Sequence, residues 1–217
     1  MAEQLRYSDD ASGFVRVKDI IPDVILDIRY DTDNNFMGRR IDGYEEPEAL
    51  LTREAAEALK QAADEFRNDG LLIRVYDAYR PQKAVSHFMR WAADPDDACN
   101  KADYYPDLDK QVLIPLGFIA EHSGHTRGST IDMTLCDAET GIELDMGGPF
   151  DFFGELSHPD YKGVAEQQYQ NRQYLRNVMM RHGFLPLAEE WWHFSLKDEP
   201  YPDTYFTFPV STRSLQK

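Results

Sequence analysis

Two short stretches of the 217-residue sequence hold side chains that could bind a metal ion together. The first, Ser123-Gly124-His125-Thr126-Arg127-Gly128-Ser129-Thr130-Ile131-Asp132, sets an imidazole and a carboxylate seven residues apart across a glycine-marked turn. The second, fifty-eight residues after Asp132, is Glu190-Trp191-Trp192-His193. Zinc sites in hydrolases commonly take three protein ligands from His, Asp and Glu and leave a fourth position to water. His125, Asp132 and His193 would fill such a set with one Zn2+ per chain. Zinc brings the pKa of such a water toward about 7 and polarises a scissile carbonyl. A nearby carboxylate must then take the water's proton and return it to the leaving amine, and Glu190 is the candidate. Gly124 and Gly128 would let backbone approach a bound group closely.

Spacing sets a condition on this reading. Residues 190 and 193 of a regular strand point to opposite faces. Both can serve one metal only if Glu190 stands at the strand's start or the backbone bends at Trp191-Trp192. One of those tryptophans is expected in the core and the other on the pocket wall. The plain alternative is an amphipathic strand with no metal. Other chemistries lack their signatures. Ser123 has no Gly-Xaa-Ser-Xaa-Gly elbow around it, Cys136 reads as a buried strand residue, and neither a phosphate-cradling glycine loop nor His-Glu-Xaa-Xaa-His is present.

The elements that must hold these residues follow from periodicity. Phe14 to Val17 and Val24 to Tyr30 are strand-like, and the polar segment 31–46 reads as a long loop in which Arg39 and Arg40 are solvated. Thr52 can cap a helix running to Asn68, with Ala55, Ala56, Leu59, Ala62, Ala63 and Phe66 as its apolar stripe and Gly70 as its stop. Leu71 to Val75 follows as a buried strand. Pro81 suits the first turn of a helix that carries Ala84, Val85, Phe88 and Trp91 inward. Arg80 therefore sits at a strand-to-helix junction. Segment 94–110 is acidic and turn-rich, a surface excursion. Ser129 to Cys136 alternates as a strand, and Gly141 to Met146 is expected to pair back on it. A helix over about Val164 to Arg181 turns Tyr169, Arg172, Leu175, Val178 and Met179 to the core. Glu190 to Leu196 is the last clear strand, followed by an irregular tail. The predicted class is α+β, a single domain over 1–217 with helices packed against a largely antiparallel sheet.

Composition narrows the partners. A net charge of −16 argues against nucleic acid and anionic membrane surfaces. Two cysteines, Cys99 and Cys136, make no disulfide framework. No signal peptide or transmembrane-length apolar run is visible, so a cytoplasmic protein is expected. Oligomeric state is left open.

The two metal stretches fit the Ser-Xaa-His-Xaa-Xaa-Gly-Xaa-Xaa-Xaa-Asp and Glu-Xaa-Xaa-His motifs of a known family. Asp77-Ala78-Tyr79-Arg80-Pro81, Asp27-Ile28-Arg29-Tyr30, Asn34-Asn35-Phe36-Met37-Gly38 and Asp145-Met146-Gly147 with Phe150-Asp151-Phe152-Phe153 fit it in the same order. Over about 17–198 the sequence resembles the D-alanyl-D-alanine dipeptidase (VanX-like) family, related to zinc D,D-carboxypeptidases of Hedgehog-type fold. The resemblance implies His125, Asp132 and His193 as zinc ligands and Glu190 as general base and acid. It also implies that Arg80 faces the developing oxyanion. The substrate would be a free zwitterionic D,D-dipeptide whose ammonium meets Asp151, with Ser123 nearby and Tyr44 as a substrate-side aromatic. Arg80 could instead form an ordinary salt bridge, and Asp151 could simply brace a turn. Segments 31–46 and 94–110 would wall a pocket closed to longer peptides. The competing assignments are a D,D- or L,D-carboxypeptidase acting on peptidoglycan stem peptides, which predicts an open groove, and a metal-stabilised binding domain.

Overall fold

A computed structural model describes residues 5–216. Strands β1 (Arg6–Ser8) and β2 (Phe14–Arg16) lead into a short helix α1 (Val17–Ile20), strand β3 (Ile25–Leu26) and strand β4 (Leu50–Thr52). Helix α2 (Arg53–Asn68), strand β5 (Leu71–Asp77), helix α3 (Gln82–Ala93) and the short α4 (Lys101–Tyr104) follow. Strand β6 (Thr130–Asp137), helix α5 (Glu166–Arg181) and strands β7 (Phe184–Pro186), β8 (His193–Leu196) and β9 (Thr204–Phe206) complete the order.

A five-stranded sheet, β3-β5-β6-β8-β7, is the frame of the molecule. Only its β3–β5 pair is parallel. β6 is buried along nearly its whole length, so both its faces are covered. α2 forms where the apolar stripe requires, with Ala55, Ala56, Leu59, Ala62, Ala63 and Phe66 all buried. Burial of Phe66 alone contributes roughly 1.5–3 kcal/mol. Thr52 caps this helix by accepting from the amide of Ala55, and its hydroxyl also pairs with that of Ser129 at 2.8 Å. The helix start is thereby tied to the turn that precedes β6. α5 begins with the Gln168 side chain accepting from the amide of Ala165 and ends at Gly183, whose φ of +86° closes the helix. It packs against α2 and β7.

Several expectations need correction. Only Ile25 and Leu26 of the 24–30 stretch pair with β5, and a 3-10 turn over Arg29–Asp31 then carries Tyr30 into the core. Gly141 to Met146 does pair back on β6, but briefly, through the antiparallel bridge of Cys136 with Glu143 and the flanking backbone bonds from Asp137 to Ile142 and from Leu144 to Leu135. Tyr169 lies at half-burial under the ammonium of Lys162 and not in the core. The tail does more than wrap, since β9 pairs in parallel with β1. Segment 94–110 is an excursion pinned from below: Tyr105 is fully buried, and Lys110 donates to the carbonyls of Asp94 and Asp97 while sitting over the Trp91 ring. Arg39 and Arg40 are half-exposed and ion-paired, with Asp97 and Asp31. No helix among the described residues is long and apolar enough to cross a membrane.

Candidate active site

Three adjacent strands present one acidic or imidazole residue each in a single row. Asp132 of β6 pairs across the sheet with His193 of β8 on one side and with Asp77 of β5 on the other. A register shift after Val75 is what brings Asp77 into line, as bulges beside active sites often do. His125 joins the row from the 3-10 turn Gly124–Arg127, where its own amide donates to the hydroxyl of Ser123. Its Nδ1 donates to the carbonyl of Ala78 at 2.7 Å, which leaves the Nε2 lone pair free. Gly128 ends that turn at φ +82°, donating its amide to the carbonyl of His125. Gly128 approaches no ligand space: a side chain there would meet the ring of Phe14. Gly124, by contrast, does line the cavity.

Glu190 meets the spacing condition. It stands ahead of β8, and the chain turns through Trp191 and Trp192, with the amide of Trp191 donating to Ser157 and that of His193 to Glu190. The Glu190 carboxylate thereby reaches 3.4 Å from Nδ1 of His193. Both tryptophans are buried, edge to face at 5.3 Å, and neither lines the cavity, so the expected division between core and wall is not what is found.

Nε2 of His125 lies 3.2 Å from Oδ2 of Asp132 and 3.3 Å from Nδ1 of His193, which lies 3.1 Å from Oδ1 of Asp132. Tetrahedral zinc ligands about 2.0–2.2 Å from the ion stand about 3.4 Å from one another. The three donors therefore have a spacing that suits one small divalent ion. Oδ1 of Asp132 is buried and accepts no well-formed hydrogen bond, which a metal would remedy. Electrostatics point the same way. Burial alone would raise the Asp132 carboxyl, but the imidazoles of His125 and His193 outweigh it and hold the group below the usual carboxylate range. Burial alone would lower His193, but Asp132 and Glu190 raise it to about 9. This is a seat for positive charge.

The cavity in front of the row holds about 290 Å³, at the small end of the ~300–1,000 Å³ usual for ligand sites. His125, Asp132, His193, Glu190, Arg80, Ser123 and Asp151 all line it. Its wall differs from expectation. Segment 31–46 contributes Phe36, segment 94–110 contributes nothing, and Tyr30, Val85, Phe88, Gly117 to Ala120, His122, Phe153 and Leu187 supply the rest. Asp151 has φ +62°, the one positive φ of a non-glycine among the described residues, a conformation that costs about 1–3 kcal/mol and clusters at functional sites. Its carboxylate accepts from the hydroxyl of Tyr30 at 2.7 Å. Burial raises the Asp151 carboxyl well above the usual range, with that hydrogen bond only partly opposing it.

Arg80 projects into the cavity from the turn between β5 and α3. Its Nε donates to Asp77 at 2.9 Å, and its guanidinium lies over the rings of Tyr30 and Phe88. Tyr44 is absent from the cavity wall. It is buried, and its hydroxyl donates to Asp77 at 2.6 Å. Asp77 and Tyr30 received no role from the sequence. The available signal was a carboxylate three residues before Arg80 at the end of a buried strand, a placement that needs a partner.

A family model described as D-ala-D-ala dipeptidase matches residues 10–211. The D-alanyl-D-alanine dipeptidase of Enterococcus faecalis is 44% identical over 200 residues, covering 92% of this chain and 99% of that one. That of Enterococcus faecium is 42% identical, covering 91% and 98%. That of Streptomyces coelicolor is 38% identical, again covering 91% and 98%. A match of this length takes in both metal-bearing stretches, the Arg80 junction and the Asp151 turn, and the chain belongs to the D-ala-D-ala dipeptidase family.

Proposed function

We propose that the protein is a zinc metallopeptidase that hydrolyses free D-alanyl-D-alanine to two molecules of D-alanine. The observation that carries the reading is the meeting, in one small cavity, of a three-donor cation seat, a carboxylate beside it and a partly buried guanidinium. Its relatives are dipeptidases of that name. His125 Nε2, Asp132 and His193 Nδ1 would hold one Zn2+. Bound there, the ion supplies Lewis acidity toward the scissile carbonyl and acidifies water.

The chain's own groups perform the remaining work. Glu190 takes a proton from the attacking water and returns it to the leaving amine, so that the new C–O bond and the broken C–N bond balance with one proton moved. Arg80 faces the carbonyl oxygen as it gains charge, and a guanidinium fixed in a buried site stabilises that charge more in the transition state than in the ground state. Asp151 receives the substrate ammonium, and Ser123 also lines the cavity. A cavity this small with Asp151 at the ammonium rejects a chain extended at that end, since extension would remove the charge and leave the buried carboxylate unpaired.

Glu190→Gln tests the assignment of the base. The variant keeps the shape of the site, so it should retain stoichiometric zinc and lose at least about 100-fold in kcat, the scale of general acid–base catalysis. A variant that binds zinc normally and turns over within about two-fold of the parent would overturn the role of Glu190.

A further inference from the structure

Arg80 can favour a transition state only if its guanidinium is already in place when charge develops, because any reorganisation at that moment subtracts from the gain. A free arginine side chain has many rotamers. Here its stem leaves the turn between β5 and α3, its guanidinium lies over the adjacent rings of Tyr30 and Phe88 at 5.0 and 5.2 Å, and Nε is anchored on Oδ2 of Asp77. Anchoring through Nε leaves the two Nη groups for the cavity, one of them 3.5 Å from Oδ2 of Asp132.

The anchor itself is exposed to a competing pull. Oδ2 of Asp77 is also 3.6 Å from Nδ1 of His125. A carboxylate with one oxygen unrestrained could swing toward that imidazole and release Arg80. Its other oxygen, Oδ1, is held at 2.6 Å by the hydroxyl of Tyr44. Asp77 has no solvent-accessible surface and Tyr44 only 3%, and neither lines the cavity. Tyr44 therefore lies behind the cavity wall and can reach the reaction only through Asp77 and the Arg80 guanidinium beside it.

Resting on the dipeptidase reading for the role of Arg80, we propose that Tyr44 and Asp77 are positioning residues: Tyr44 fixes the rotation of the Asp77 carboxylate, which fixes the guanidinium of Arg80 toward the scissile carbonyl. The long segment between β3 and β4 thus contributes to catalysis from behind the site, and Tyr44 is a positioning residue, not a substrate-side aromatic.

The test is a double-mutant cycle on the zinc-loaded full chain with D-Ala-D-Ala. Tyr44→Phe removes one oxygen and should lower kcat about ten-fold, equivalent to about 1.4 kcal/mol, with KM within about two-fold. In an Arg80→Ala background the same change should alter kcat less than about two-fold, because the group it positions is gone. An equal loss in both backgrounds, or none in the parent, would overturn the proposal. A second readout does not depend on turnover. The Nε–H proton of Arg80 should exchange slowly with solvent by 15N NMR, and at least about ten-fold faster in Tyr44→Phe and Asp77→Asn. Unchanged exchange would sink the anchoring whatever the enzyme cleaves. Absent hydrolysis by the parent protein with the exchange effect intact would instead count against the dipeptidase reading.

Discussion

A methyl group added at Gly128 would place its carbon 2.2 and 2.3 Å from Cε1 and Cζ of Phe14 and 3.3 Å from Cγ2 of Thr52. The Phe14 ring has little room to retreat. It packs edge-on against Tyr79, Phe206 and Phe208 at 4.7–5.2 Å. Gly128→Ala therefore carries two penalties. The φ of +82° costs a residue with a Cβ about 1–2 kcal/mol, and overpacking a filled core costs about 1–3 kcal/mol. The sum is about 2–5 kcal/mol. At about 2–4 °C per kcal/mol for a chain of this size, Tm should fall by about 10 °C. Gly70→Ala is the control, because Gly70 has φ +75° with nothing within 4 Å of an added carbon. It should show the backbone penalty alone, about 3–6 °C. The assay is differential scanning calorimetry of both variants at matched protein and zinc concentrations. Equal Tm values for the two would refute the reasoning that Gly128 is required by the Phe14 contact.

Three further outcomes follow from the site and its supports. Asp151 must be ionised to hold an ammonium, and burial raises its carboxyl well above the usual range; KM should therefore climb as pH falls through that raised value, at higher pH than an exposed aspartate would give. Asp151→Asn should raise KM at least about ten-fold, the loss of a charged hydrogen bond, and erase that acid limb; a KM unchanged in pH-dependence would remove Asp151 from substrate binding. Zinc at about 1,000 times its Kd should add about 4 kcal/mol of stability, seen as a rise of about 10 °C in Tm over chelated protein and absent in Asp132→Asn; identical melting with and without chelator would contradict the metal seat. Arg172 of α5 is fully buried and donates to the carbonyls of Met146 and His158. Arg172→Met orphans both and should cost about 2 kcal/mol after the relief of a buried charge. A urea midpoint within about 0.3 M of the parent, where about 1 M is expected, would count against it.

Local periodicity made the longer elements legible. α2, β5, β6 and α5 all carry their apolar residues at the spacing of the element they form, and Thr52 and Gly183 mark helix ends by cap chemistry that acts within a few residues. The metal row was legible because its residue types are costly to bury and the turn residues around them say where the chain bends. Pairings across the whole chain were not. β1 and β9 join residues nearly 200 positions apart, and three-residue strands carry too few alternations to declare themselves. The Tyr44–Asp77–Arg80 chain was hidden for a related reason. Which hydroxyl meets a buried carboxylate depends on how the 31–46 loop folds over β5, and that loop's polar surface masks Phe36, Met37, Ile41 and Tyr44, which are core residues. The cavity wall at 117–120 had no signal, since glycine and apolar residues after a turn read as ordinary packing.

This cavity is expected to hydrolyse a small dipeptide with both ends free. Amino-acid release by the zinc-loaded protein, with free D-Ala-D-Ala, L-Ala-L-Ala and an N-acylated peptide ending in D-Ala-D-Ala run side by side, tests it most directly. Rapid release from the free D,D-dipeptide alone is the expected result. Comparable cleavage of the N-acylated peptide would contradict it, because a blocked amine leaves Asp151 nothing to bind and would move the assignment to a carboxypeptidase.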